Sequence, residues 1–166
     1  MDLWRAAGLI APFACLPAHA LPTANFQVAA SIVAGCVVSG SNTGVFGTLN
    51  FGTQSGAATG NLSASYLQST TLNLACTPGT AVSMSINGGA NYTSLRNLKH
   101  TSSSNTIAYR LFSNAALTVP IPINSAIALN YSNANTITLP VYGQLTLPGA
   151  ARAGTYTDTL TVTLSW

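Results

Sequence analysis

Beyond residue 25 the chain is written in twos. Phe26, Val28, Ala30, Ile32 and Ala34 alternate with Gln27, Ala29, Ser31 and Val33, and Leu72, Leu74 and Cys76 alternate with Asn73 and Ala75. Val82, Met84 and Ile86 alternate with Ser83 and Ser85, and that run stops at Asn87-Gly88-Gly89, a strong turn signal. Ile107, Tyr109 and Leu111 make a further set, and Ile137, Leu139 and Val141 another. Alternation puts every second side chain on one face, so each run predicts a half-buried strand. Helical spacing is hard to find after residue 20. Clusters of Ser, Thr, Asn, Gly and Pro separate the runs, and residues 101–105 and 147–153 read as loops. Strands with turn signals between them predict a single all-β sandwich.

Residues 154–166 carry the cleanest pattern. Tyr156, Asp158, Leu160, Val162, Leu164 and Trp166 share one face, while Thr155, Thr157, Thr159, Thr161, Thr163 and Ser165 share the other. That predicts one half-buried strand with a hydroxyl-rich wet face and Trp166 inside. The chain then ends within the strand, where domains usually finish in frayed polar residues.

The first twenty residues have a different character. Arg5 supplies a basic start, residues 6–16 an apolar stretch, and Ala18-His19-Ala20 the small-x-small form of a cleavage site. They read as a signal peptide, cut after Ala20. A membrane span needs about 20 apolar residues; no segment qualifies, so no integral membrane segment is expected in the mature chain. Cleavage removes Cys15 and leaves Cys36 and Cys76, and an even pair in an exported chain predicts a disulfide. Closing a loop of about 40 residues stabilises a fold by roughly 4 kcal/mol on the chain-entropy account.

Composition adds to this picture. At 166 residues the chain is long enough for one domain with a real core. Only 4% of residues are charged although 48% are hydrophobic, so hydroxyls and amides cover the surface where a soluble domain carries charges. Such a surface suits a protein that assembles outside the cell. The net charge is +3, and cleavage leaves it unchanged because Arg5 and Asp2 depart together. Arg96, Lys99 and Arg110, with Arg152 apart, read as an ordinary solvated surface, and no nucleic-acid partner is expected.

Enzyme chemistry has little to work with. After cleavage one carboxylate side chain, Asp158, and one histidine, His100, remain. Paired-carboxylate catalysis is excluded within one chain, and no G-x-S-x-G elbow is present. Asp158 reads as a hydrogen-bonded structural residue near a strand end, and His100 as a solvated loop residue. No metal site, phosphate loop or other cofactor site is implied by these residues.

The order of several short motifs carries a resemblance. Cys36 comes after an alternating strand; Phe46-Gly47-Thr48-Leu49-Asn50-Phe51-Gly52 is next, then Cys76 at a strand end and Ile86-Asn87-Gly88-Gly89. Arg96-Asn97-Leu98, Tyr109-Arg110-Leu111-Phe112-Ser113-Asn114 and Pro140-Val141-Tyr142-Gly143 come after these, and the chain closes on G-x-Y-x-D-x-L-x-V-x-L. Over nearly all of the mature length this resembles the spore coat protein U domain family, whose members include subunits of archaic chaperone–usher pili. The resemblance implies an incomplete immunoglobulin-like β-sandwich lacking its last strand, completed by donor-strand complementation. It implies three segments: a signal peptide over 1–20, an N-terminal donor-strand extension over 21–35, and the sandwich over 36–166. Phe26, Val28, Ala30, Ile32 and Ala34 would be the donor residues. Leu160, Val162, Leu164 and Trp166 would face the chaperone or the groove along the C-terminal strand. The implied partners are a periplasmic chaperone, an outer-membrane usher and neighbouring pilin subunits. The implied role is a non-enzymatic fibre subunit that passes through the periplasm to the cell surface and supports adhesion or biofilm formation. A second reading stays open: a self-contained secreted β-sandwich binding module, carbohydrate-binding or adhesive, or a spore or cell-surface coat protein.

Overall fold

In the computed structural model the described residues are 27–40, 44–68 and 72–166, so the expected signal peptide and Phe26 lie outside them. The chain falls into two compact units, residues 1–32 and 33–166. Of the first unit, residues 27–32 are described; they lie in no strand, and Val28 and Ile32 are 82% and 88% exposed.

The second unit is all-β among the described residues. Its strands are β1 (Cys36–Gly40), β2 (Gly47–Leu49), β3 (Thr59–Gln68), β4 (Leu72–Cys76), β5 (Val82–Ile86) and β6 (Arg96–His100). They continue with β7 (Thr106–Phe112), β8 (Ile127–Leu129), β9 (Tyr142–Pro148), β10 (Tyr156–Thr157) and β11 (Val162–Ser165). Hydrogen bonding arranges them as a pair β1-β4, a six-stranded sheet β10-β6-β7-β9-β3-β2 and a three-stranded sheet β11-β5-β8. Every named pair is antiparallel.

The apolar residues of the alternating runs meet in one core. Leu74 of β4, Met84 and Ile86 of β5 and Leu111 of β7 are fully buried, and so is Ile137. Ser83 and Ser85 take the other face of β5. Cys36 and Cys76 lie directly opposite in the β1–β4 register and are joined by a disulfide.

Besides the run at 26–34, whose described residues form no strand, two expected strands take a different form. Ile137, Leu139 and Val141 are buried as the alternation requires, but the segment forms no strand. Pro140 has no N–H to give a ladder, and the Val141 N–H turns back to the Leu139 carbonyl at 3.0 Å. The second is the C-terminal strand. It is broken into β10, which pairs with β6, and β11, which pairs with β5, so the chain crosses from one sheet to the other between residues 158 and 161. Across the break the carbonyls of Thr159 and Thr161 accept from Ala90 and Asn87 in the loop after β5. The inside–outside alternation survives from Tyr156 to Leu164. Trp166, expected inside, is 59% exposed.

The expected loop over 147–153 begins two residues inside β9. β3 was hidden in the sequence because its inward positions are filled by Leu62, Ala64 and Tyr66 among serines, a weak apolar signal. Gly143 on β9 makes room for the side chains of Leu49 at the end of β2 and Phe51 just beyond it. A Cβ there would strike the side chains of Leu49 and Phe51 at 2.5 and 2.8 Å.

Candidate functional site

β11 ends one sheet and β2 ends another, so each offers main-chain N–H and C=O groups on a side without a ladder partner among the described residues. Between these edges lies a groove with a cavity volume of about 250 Å³. Leu160 and Val162 form one wall; Phe46, Leu49, Phe51 and Tyr66 form the other; Ile86, Leu98, Tyr109, Leu111, Leu139 and Val141 lie beneath. The wall residues pack against the core yet remain half-buried. A second cavity of about 330 Å³ shares Leu49, Phe51 and Leu98 with the first and runs on to Leu147, Arg152 and Tyr156. Apolar side chains thus line a trench that the chain's own described strands leave open.

Polar groups fix the shape of the trench. Asp158, the charged residue of the first cavity's lining, sits at the break between β10 and β11. Its Oδ2 accepts from the Tyr109 hydroxyl at 2.8 Å, and its Oδ1 accepts from the Asn91 amide N–H and side-chain Nδ2 at 3.2 and 3.1 Å. Burial, reinforced by the bond to Asp158, pushes the Tyr109 hydroxyl well above the ordinary phenol range. Gly89, at φ +89°, lies against the carboxylate, and a Cβ there would run into it. Asn87 bridges to Thr161, giving its N–H to the Thr161 carbonyl at 3.1 Å and taking the Thr161 N–H on Oδ1 at 2.9 Å. On the opposite wall, Tyr66 donates to the Phe46 carbonyl at 2.6 Å, and burial raises its hydroxyl to about 12.

Arg96 overturns its expected place in a solvated basic cluster. It is 4% exposed and donates to the carbonyls of Asn87 (2.9 Å), Ile121 (3.0 Å) and Ile86 (3.0 Å), tying the end of β5 to the segment before β8. Burial lowers its affinity for the proton, and the fields of Tyr109 and Asp158 oppose that. Lys99 and Arg110 are exposed. His100 is likewise no solvated loop residue. It ends β6 at 6% exposure, stands edge-on to Tyr156 with ring centres 5.0 Å apart, and its Nδ1 accepts from the Ser102 N–H at 3.0 Å. That leaves Nε2 to donate to the Ala153 carbonyl at 3.1 Å. The signal for both residues was available, since Arg96, Leu98 and His100 alternate as a strand does.

His100 and Asp158 therefore belong to separate hydrogen-bond networks. No cluster of three or more His, Cys, Asp or Glu that could hold a metal occurs among the described residues. Of the expected groove-facing residues, Leu160 and Val162 line the trench, Leu164 is half-buried further along β11, and Trp166 projects beside Gly35. Of the expected donor residues, Val28, Ala30, Ile32 and Ala34 are exposed and in no strand. Sequence reasoning missed the opposite wall, Phe46 to Tyr66, because Leu49 sits on a three-residue strand, Phe46 and Phe51 flank that strand, and Tyr66 comes from a serine-rich one.

Comparison with known proteins adds two findings. One solved chain with a similar fold comes from the CsuC-CsuE chaperone-tip adhesion subunit pre-assembly complex of the archaic chaperone-usher Csu pili of Acinetobacter baumannii. The TM-score is 0.52 at 20% identity, over 81% of this chain and 40% of that one, so this chain spans less than half its length. No curated protein matches the chain significantly. The model of the Spore Coat Protein U domain matches residues 22–163, nearly the whole chain beyond the expected signal peptide. This chain belongs to the Spore Coat Protein U domain family.

Proposed function

We propose that this chain is a structural subunit of a bacterial surface pilus, assembled by the chaperone–usher pathway through donor-strand exchange. The observation that carries the reading is the apolar trench between the free edges of β11 and β2. An added strand would hydrogen-bond to one or both edges and bury alternate apolar side chains, the geometry of strand addition. The chain itself holds a matching segment. Residues 27–34 carry the alternation of a strand but lie exposed and in none. Between copies, each N-terminal segment would fill a neighbour's trench.

About five apolar side chains from Phe26 to Ala34 set an upper scale near 10 kcal/mol for the linkage, and Ala30 and Ala34 contribute less than the rest. Until a neighbour arrives, the trench needs a temporary strand, the role of a periplasmic chaperone that delivers the subunit to an outer-membrane usher. Residues 1–20 act as the export signal, residues 21–35 as the donor extension and residues 36–166 as the sandwich. Leu160, Val162, Leu164 and Trp166 belong to the strand the chaperone grips. The destination is the cell surface, where such fibres serve adhesion or biofilm formation.

Size-exclusion chromatography tests the reading. The mature chain made alone is expected to polymerise or aggregate, and to run as a one-to-one complex when its chaperone is co-expressed. A chain that stays monomeric without chaperone as its concentration is raised would contradict it.

A further inference from the structure

A carboxylate in the wall of an apolar trench constrains what can lie beside it. Asp158 Oδ1 accepts two bonds from Asn91 and Oδ2 one from Tyr109, and a carboxylate accepts about four, so Oδ2 keeps an acceptor position to fill. The group cannot retreat, because Gly89 stands against it so closely that a Cβ would collide. A large apolar side chain laid across Asp158 strips water from a charge and supplies no donor in return. A small side chain leaves space for water.

Asp158 lines the cavity of about 250 Å³ together with Leu160 and Val162, and Tyr156, two residues back along the chain, borders the one of about 330 Å³. The apolar face of residues 26–34 reads Phe26, Val28, Ala30, Ile32, Ala34, so its interior small residue is flanked on both sides by large ones.

We propose that Asp158 sets the register of the incoming strand by rejecting any large apolar side chain at the position that crosses it. In a second copy of this chain that position is Ala30. The inference rests on the donor-strand reading above. It places Val28 and Ile32 on either side of Asp158, and a slip of two residues would drive one of them onto the carboxylate.

The experiment uses fluorescently labelled peptides of residues 26–34, binding to the full mature chain at concentrations where copies stay apart. Ala30→Leu is expected to weaken binding at least about tenfold, and Ala34→Leu by less than about threefold. On the Asp158→Asn chain, which keeps the shape and loses the charge, the Ala30→Leu loss should shrink to below about threefold. Equal losses for the two peptides, or an Ala30→Leu loss undiminished by Asp158→Asn, would overturn the register role and leave the donor reading standing. Failure of the unaltered peptide to bind would defeat both. If the Asp158→Asn chain does not fold, the comparison of the two peptides still decides.

Discussion

Arg96 spends its guanidinium on three main-chain carbonyls, Ile86, Asn87 and Ile121, at 2.9–3.0 Å. These acceptors mark the end of β5 and the segment before β8, so one side chain holds the ground beneath the trench. A planar fork of fixed donors can reach three divergent carbonyls; a lysine ammonium is a point charge on a flexible stem. The Ile86 carbonyl keeps the Asn124 N–H at 3.0 Å, so the loss falls on the Asn87 and Ile121 carbonyls. Arg96→Met and Arg96→Lys are therefore both expected to lower stability by about 3 kcal/mol, since each of those two costs on the order of 1–3 kcal/mol when it loses this donor. Urea unfolding of the oxidised chain, followed by circular dichroism, measures this. A lysine variant within about 0.5 kcal/mol of the parent would show that charge alone suffices. This residue was the hardest to read from sequence, because a basic side chain is normally solvated and only its alternation with Leu98 and His100 pointed inward. Asp158 was easier. A lone carboxylate on the apolar face of a strand needs donors, and Tyr109 and Asn91 supply them.

At the scale of elements, the alternating runs over residues 72–76, 82–86 and 107–111 became strands because consistent period-two burial leaves few alternatives. The run at Ile137 to Val141 kept its burial and lost its ladder at Pro140, so the pattern reported the face and not the hydrogen bonding. The C-terminal pattern concealed its crossing between sheets, since alternation is the same whichever sheet a strand joins. The Cys36–Cys76 bridge ties β1, the first strand after the exposed segment, to β4. It spans a sequence separation of 40, which gives about 4 kcal/mol on the loop-entropy account. Replacing both cysteines by serine should lower the unfolding free energy by about that amount, and native protein should take up no alkylating reagent without reductant. Uptake of two alkyl groups by the native protein, or an unchanged urea midpoint in the double variant, would contradict this.

At the scale of the whole molecule, the trench is a property no single segment announces. Its walls come from β2, β3, the loop beyond β2 and the strand break at Asp158, the first and last of which lie more than about a hundred residues apart in sequence. Alternation identifies inward faces but does not say which edges stay unpaired. Only the family resemblance pointed to a missing strand. The segment over residues 26–34 is its counterpart, and two accounts of it diverge under one substitution. If it completes a neighbour, Ile32→Asp carries an unpaired charge into the neighbour's trench, a burial that costs several kcal/mol, while the subunit's own core is untouched. Immunoblotting of periplasmic chaperone complexes beside sheared surface fibres, for the Ile32→Asp chain and its parent, tests this directly. The account predicts chaperone-bound subunit at the parent level with fibres lost; disappearance of both, as expected if the segment is a strand of its own sandwich, would contradict it.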